Sequence, residues 1–180
     1  MPRLIKDGAI VEDRWTLLRE AASLADAPAE TAIIVSLALW RTNREALLAR
    51  REVGVWLKPD DDPDALAADV GALPLIAIEF PKFTDGRGYS TAQILRQKYG
   101  FADELRAIGD VLRDQLYYMQ QCGFNAFAMR SDRSLEDALR ALGDFSEGYQ
   151  ASVRQPMPLF RRRAPPGTMP ERPGAASDPS

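Results

Sequence analysis

The feature that most constrains the fold is an alternation of short apolar runs with segments of helical period. The strand-like runs start 21 to 29 residues apart and occupy 32–35, 53–57, 75–80, 104–108 and 126–129. The helix-like segments follow them at 43–51, 63–72, 91–99, 111–121 and 135–142. This spacing is typical of βα units joined by right-handed crossovers. The pattern predicts an α/β fold of about five βα units with a mainly parallel sheet.

Two architectures satisfy this prediction. The sheet is either half-barrel-like or open and doubly wound, and in both the residues at the carboxyl ends of the strands form the functional edge. Short units with short connections favour barrel-like curvature. Because a half-barrel leaves open strand edges that a second copy could cover, a homodimer is one expected assembly.

The chain divides into three predicted regions. Residues 1–30 contain a β-hairpin and a connector, since Leu4-Ile5-Lys6 and Ala9-Ile10-Val11 flank the two-residue turn Asp7-Gly8. Trp15 to Leu18 is expected to extend that ribbon, and 19–30 is either a short helix or a loop. The α/β domain takes residues 31–153. Residues 154–180, with seven prolines and the triplet Arg161-Arg162-Arg163, are predicted to be a disordered tail.

Composition excludes several kinds of chemistry. The chain has no histidine and one cysteine, so it cannot build a Ser-His-Asp triad, a haem-histidine site, the usual zinc site or a four-thiolate iron–sulfur cluster. The cofactor, if there is one, stays unknown. Asp60-Asp61-Asp62 is interpreted as a helix start, with Asp62 as N-cap and Pro63 at the first helical position, and not as a metal site.

Charge and hydropathy bear on partners and location. A formal net charge of −3 favours neither nucleic acid nor an acidic membrane surface. The longest nearly apolar run, 32–40, is far below the roughly 20 residues that span a bilayer. The first residues lack the apolar core of a secretory signal, so a cytoplasmic protein is expected.

The candidate site is the polar loop 80–90, which lies between an apolar run and a helix expected to begin at Thr91 with Ser90 as its N-cap. Its two glycines and its cations are suited to an anion at the carboxyl end of a strand. The predicted ligand-binding residues are Lys82, Gly86, Arg87, Gly88, Ser90 and Arg113. The alternatives are a tight turn with solvated charges, or a structural Arg87 paired with Glu79 or Asp110.

The helix that follows is interpreted as core-forming. Tyr117, Tyr118, Met119 and Phe124 fit an apolar helix face better than an aromatic cofactor site. Cys122 precedes Gly123, the expected left-handed helix stop, and is interpreted as a small packing residue.

Three long motifs resemble the bacterial family DUF934. They are FPKFTDGRGYS at 80–90, ELRAIGDVLRDQL at 104–116 and CGFNAF at 122–127. The resemblance covers roughly residues 30–150 and excludes the proline-rich tail. Members of that family are described as oxidoreductases involved in sulfite reduction. The resemblance therefore implies a place in sulfur assimilation, with sulfite reductase or another enzyme of that pathway as partner.

Two functions of different class follow. In the first, the protein is an accessory or binding component of sulfite or sulfate reduction that holds a small anionic ligand or a partner at the carboxyl-end edge of the sheet. In the second, it is itself an enzyme, with Asp85, Tyr89 or Asp110 as acid or base and Arg87 as the anion clamp. The sequence leaves both open.

Overall fold

The chain forms one eight-stranded mixed sheet with helices packed against it. This computed structural model describes residues 2–20, 23–28 and 31–144. The strands are β1 (Arg3–Lys6), β2 (Ala9–Glu12), β3 (Trp15–Leu17), β4 (Ala32–Ser36), β5 (Val53–Leu57), β6 (Leu75–Phe80), β7 (Glu104–Gly109) and β8 (Ala126–Phe127). Their order across the sheet is β2-β1-β8-β7-β6-β5-β4-β3. All five strands predicted for the α/β region are present.

The N-terminal hairpin forms as predicted. β1 pairs antiparallel with β2, and both turn residues have positive φ, 49° at Asp7 and 78° at Gly8. β1 also pairs antiparallel with β8, whereas β3 to β8 are parallel to one another.

The expectation that Trp15 to Leu18 extends this ribbon is wrong. β3 pairs parallel with β4 at the opposite edge of the sheet, with Trp15 opposite Ala32. Trp15 and Leu17 pack there against an apolar cluster that includes Ile34 and Trp56. Burial of these two side chains, which no local pattern encodes, decides the pairing.

The sheet curls into a half-barrel. β2 and β3 are its two edge strands, yet only Asp13 and Arg14 separate them along the chain, so the edges must approach each other. Side chains alternate between the two faces: Ile33 and Val35 join the large core that includes helical residues, whereas Ile34 joins a smaller cluster of strand residues. The helices therefore cover one face, which distinguishes this fold from the doubly wound alternative.

The segments that follow the strands are not the five single helices that the sequence predicted. The α-helices are α1 (Leu37–Thr42), α2 (Arg44–Leu48), α3 (Arg87–Gln93, continued by a π-turn at Ile94–Lys98), α4 (Leu116–Cys122) and α5 (Leu135–Asp144). Ser36 caps α1 by accepting a hydrogen bond from the Leu39 amide, and α1 is a helix that the sequence did not predict. The helix predicted at 43–51 corresponds to α2, which begins at Arg44. Between β5 and β6 there are only two 3-10 helices, Pro63–Leu66 and Val70–Ala72, so the count of five βα units is not confirmed.

Several local predictions hold. Asp62 accepts a hydrogen bond from the Asp64 amide as the cap before Pro63. The helix predicted at 135–142 is α5, and Ser134 accepts a hydrogen bond from the Asp137 amide at its start. Cys122 is buried, and Gly123 ends α4 with φ 114°. Met119 and Phe124 lie in the core, but the prediction was wrong for Tyr118, whose side chain is 56% exposed.

Four charged side chains of alternating sign contact one another on the concave face of the half-barrel, which is the face that the helices do not cover. They lie near the amino ends of the parallel strands. Lys6 Nζ lies 2.7 Å from Glu104 Oε2, Arg106 Nε donates to Glu104 Oε1 at 2.7 Å, and Arg106 Nη1 donates to Asp13 Oδ2 at 3.0 Å. The four side chains line a cleft of about 470 Å³ beside Trp15. They tie β1, β7 and the β2–β3 connector together.

Within the described residues, no helix has both the length and the apolar character needed to cross a membrane. The predicted tail at 154–180, and the last residues of the predicted domain at 145–153, lie outside the described residues.

Candidate functional site

The carboxyl ends of the parallel strands open onto four loops, at 58–62, 81–86, 110–112 and 128–134, which together are called the rim below. In folds with parallel strands and helices outside them, this end of the sheet presents polar groups to a ligand. Most of the predicted site residues lie on the rim or on the helix that begins there.

Arg87 ties two rim loops together. Its Nε and Nη2 donate to the two carboxylate oxygens of Asp85 at 3.0 and 2.6 Å, and its Nη1 pairs with Asp60. The Arg87 hydrogen bonds hold the pKa of Asp85 below its usual value, and the same carboxylate raises the pKa of Arg87. The predicted structural alternative for Arg87 named Glu79 or Asp110, but the partners in the structure are Asp85 and Asp60.

Phe83 joins the loops after β6 and β7 through its backbone. Its amide donates to Asp110 Oδ2 at 3.1 Å, and its carbonyl accepts from Gln115 Nε2 at 2.7 Å. Asp110 also pairs with Arg130 in the next loop, at 3.5 Å. Ion pairs and side-chain hydrogen bonds therefore connect four successive loops of the rim.

Lys82 and Arg113 flank this junction. Both are exposed, and neither forms an ion pair within the part of the chain that the structure describes. Lys82 precedes Phe83, and Arg113 begins the 3-10 helix that ends at Gln115, so the two bonds to Phe83 link the loop that carries Lys82 to the segment that carries Arg113. These two predicted residues keep donors available to an anion.

The remaining loop residues have structural contacts instead. The prediction that Ser90 is an N-cap is wrong, because α3 already begins at Arg87 after Gly86. Gly88 is buried, and a Cβ there would lie 2.7 Å from Cζ of Phe80, so the missing side chain makes room for the core. Gly86 is exposed, and a Cβ there would be in ordinary van der Waals contact with the Tyr89 ring, at 3.9 Å from Cδ2.

The three predicted acid-base residues have separate surroundings. Asp85 faces Arg87, Asp110 faces Phe83 and Arg130, and no hydrogen bond joins any two of the three candidates within the described ranges. The Tyr89 ring is half-buried between Phe80 and Tyr118, and this burial raises the pKa of its hydroxyl. The structure does not bring the three together as a catalytic group.

A second group on the concave side of the rim contains Arg19, a residue that the sequence reasoning missed. Arg19 pairs with Glu79, and the Arg19 and Lys58 cations lie 5.9 and 5.7 Å from the centroid of the Trp56 ring. Arg19 stands in a stretch whose sequence is ambiguous between helix and loop. Only the pairing of β3 with β4 carries it to this end of the sheet.

Among the described residues, no group of three or more acidic or cysteine side chains is arranged to hold a metal ion. The triplet Asp60-Asp61-Asp62 is used otherwise: Asp60 pairs with Arg87, Asp61 accepts from the Lys58 amide at 2.8 Å, and Asp62 caps the 3-10 helix.

A comparison with protein families finds one match. The family model described as "Bacterial protein of unknown function (DUF934)" matches residues 54–160, which is more than half of the 180-residue chain. The match starts later than the resemblance noted in the sequence and extends past residue 153 into the predicted tail. A comparison with curated proteins finds no match.

Proposed function

We propose that this chain, which belongs to the DUF934 family of bacterial proteins of unknown function, is a binding component that holds a small anion at its rim. The anion would lie between Lys82 and Arg113. In keeping with what the family resemblance implies, we place this binding in assimilatory sulfite or sulfate reduction, where the ligand would be an oxyanion of sulfur and the partner a reductase.

The observation that carries the proposal is the pair of hydrogen bonds made by the Phe83 backbone. Hydrogen bonds from its amide to Asp110 and from Gln115 to its carbonyl fix the loop of Lys82 against the segment of Arg113. Two cations on loops that are already braced lose less conformational freedom on binding than two cations on independent loops. The guanidinium of Arg113 can add a planar fork for two oxygens.

Arg87 supports this site indirectly. Its Nε, Nη1 and Nη2 all contact Asp85 or Asp60, so its charge is already matched by two carboxylates. In the proposal Arg87 braces the rim, and the charges without an ion-pair partner bind the ligand.

Binding is better supported than catalysis. A general acid at neutral pH needs a proton to give, yet the pKa of Asp85 is lowered and its carboxylate is engaged by Arg87. Burial raises the pKa of Tyr89, so its hydroxyl stays protonated at neutral pH and the tyrosinate form that could act as a base is scarce. The proposal therefore assigns no bond-breaking step to this chain and no cofactor.

The test is a calorimetric titration of the full chain with sulfite, sulfate, phosphate and adenosine 5′-phosphosulfate. We expect Lys82→Gln and Arg113→Gln each to weaken binding at least about tenfold, a difference of about 1.4 kcal/mol. The matched control is Arg51→Gln, which removes the same charge from an exposed position just before β5, at the opposite end of the sheet. Equal loss in all three variants would indicate a general charge effect, and absence of binding by all four anions would refute the proposal.

The variant Arg87→Lys distinguishes a structural role of Arg87 in bracing the rim from a direct role in binding the anion. Lysine keeps the charge but cannot donate in parallel to both oxygens of Asp85 and also reach Asp60. The bracing role predicts a lower melting temperature with affinity changed by less than about threefold. A tenfold loss of affinity with an unchanged melting temperature would instead make Arg87 the clamp.

A further inference from the structure

The concave face of the half-barrel is packed over part of its area and open beside Trp15. Ile34, Trp56 and Leu75 belong to the apolar cluster that fills the packed part. The open part is the cleft of about 470 Å³ that the four alternating charges line. The interior of an eight-stranded barrel is either filled by side chains or holds one small ligand, and ligand pockets typically measure about 300–1,000 Å³. The cleft therefore has the size that a small molecule requires.

Apolar side chains form one part of the cleft wall. The cleft is lined by Leu4 of β1, Ala9 and Val11 of β2, and Trp15 of β3. Leu4 is buried, whereas Val11 and Trp15 are half-buried and keep apolar surface in contact with water. Removing such surface from water is favourable, so this wall suits a ligand with an apolar body.

The series of alternating charges ends at Lys6. The donors of Arg106 are engaged, because Nε and Nη2 contact Glu104 Oε1 at 2.7 Å and Nη1 donates to Asp13. Lys6 Nζ contacts Glu104 Oε2 and forms no other ion pair within the described ranges, although an ammonium has three N–H donors. The Lys6 side chain is 40% exposed, whereas that of Glu104 is 5% exposed. The group that continues the alternation at this open end is therefore an anion.

We propose that the cleft binds a small monocarboxylate with an apolar body. The carboxylate would accept hydrogen bonds from Lys6 Nζ, and the body would lie against Val11 and Trp15. Charge-assisted hydrogen bonds of this kind are stronger than neutral ones. Asp7 and Glu12 also line the cleft, but both are exposed, so water and salt screen their charges. The site is separate from the rim, and the oxyanion binding proposed there does not depend on it.

Calorimetric titration of the full chain with butanoate, hexanoate, octanoate and octanamide tests the proposal. Each added CH₂ buried against the wall should tighten binding about three- to fourfold. Octanamide keeps the apolar body but lacks the charge, so it should bind at least about tenfold more weakly than octanoate. Lys6→Met keeps the apolar stem and removes the ammonium. In this variant octanoate should lose its advantage of about tenfold, while the affinity for octanamide changes by less than about twofold.

The matched control is Lys98→Met. Lys98 also pairs with a carboxylate, Asp64, at 2.8 Å, but this pair is exposed and lies outside the cleft, so octanoate binding should not change.

A second variant, Val11→Trp, puts a larger side chain into the cleft. In a sample whose thermal melt shows that it is folded, it should weaken octanoate and octanamide at least about tenfold each. The proposal would be overturned by absence of octanoate binding, by an affinity that does not depend on chain length, or by equal losses in Lys6→Met and Lys98→Met. Unchanged binding in folded Val11→Trp, or loss of octanamide together with octanoate in Lys6→Met, would also overturn it.

Discussion

Replacement of Arg106 by methionine should destabilise the protein more than any surface substitution of a charge. The Arg106 side chain is 3% exposed and donates to Glu104 through Nε and to Asp13 through Nη1. Methionine has a similar length and fills the space, but it offers neither a charge nor a donor. Glu104, itself buried, then keeps Lys6 as its ion-pair partner, and Asp13 loses its own.

The magnitude follows from the buried position of this network. Removing one partner of a buried ion pair typically costs about 3–5 kcal/mol, since the charge left behind has lost its solvation and its partner. With a urea m-value of about 2 kcal/mol per M, the unfolding midpoint should fall by roughly 2 M. Adding Glu104→Met should recover part of this loss, because Lys6 is 40% exposed and can turn to water.

The assay is urea unfolding followed by tryptophan fluorescence, since Trp15 lines the same cleft. Arg14→Met is the matched control: Arg14 is the next residue after Asp13, but its pair with Glu52 is exposed and should contribute less than about 1 kcal/mol. A midpoint for Arg106→Met within about 0.5 M of the parent, or no lower than that of the control, would refute the reasoning.

Three further outcomes are expected. Leu116→Ala removes a fully buried side chain of α4 and should cost about 2–5 kcal/mol in urea unfolding, whereas parental stability would contradict its place in the core. Gly88→Ala puts a Cβ 2.7 Å from the buried Phe80 ring and should cost about 1–3 kcal/mol, while Gly71→Ala, with open space around it, should cost nothing in a thermal melt. Asp69 has its pKa lowered chiefly by the Arg44 hydrogen bonds, so its contribution to stability is present above the pKa of the unfolded carboxyl and is lost as pH falls through the lower folded value. The stability difference between the parent and Asp69→Asn should therefore shrink from pH 6 towards pH 3, and a constant difference would show that this carboxylate is not linked to acid unfolding.

The sequence by itself determined the strands of the α/β region. Each of the five predicted runs became a strand of the sheet, because a short run rich in apolar residues and bounded by polar residues has few other ways to bury its side chains. Asp7-Gly8 and Gly123 were equally predictable, since both depend on local backbone conformations that few residues adopt. The family was also recognisable, because its motifs are long contiguous stretches.

Helix boundaries at the candidate site were less predictable. A serine before a helix-like segment indicated a cap at Ser90, yet the structure starts α3 at Arg87. Gly88 within that first turn packs against Phe80 and Ile78 of β6, and this tertiary contact outweighs the preference of serine for a cap. Tyr118 had the spacing of a core residue, but it lies on the side of α4 that the described chain leaves open.

Only the tertiary structure decided which charges have partners. Arg87 contacts Asp60 although 27 residues separate them in the sequence, and the Phe83 amide donates to Asp110 over the same separation. Arg106 and Asp13 are 93 residues apart in the sequence and also form a hydrogen bond. No local pattern specifies such pairs, because they depend on which strands become neighbours and how far the sheet curls. The sequence could name the cations of the rim, but it could not distinguish Arg87, whose donors are engaged by carboxylates, from Lys82 and Arg113. That distinction arises because ion pairs form between groups that the curled sheet brings together, however far apart they are along the chain.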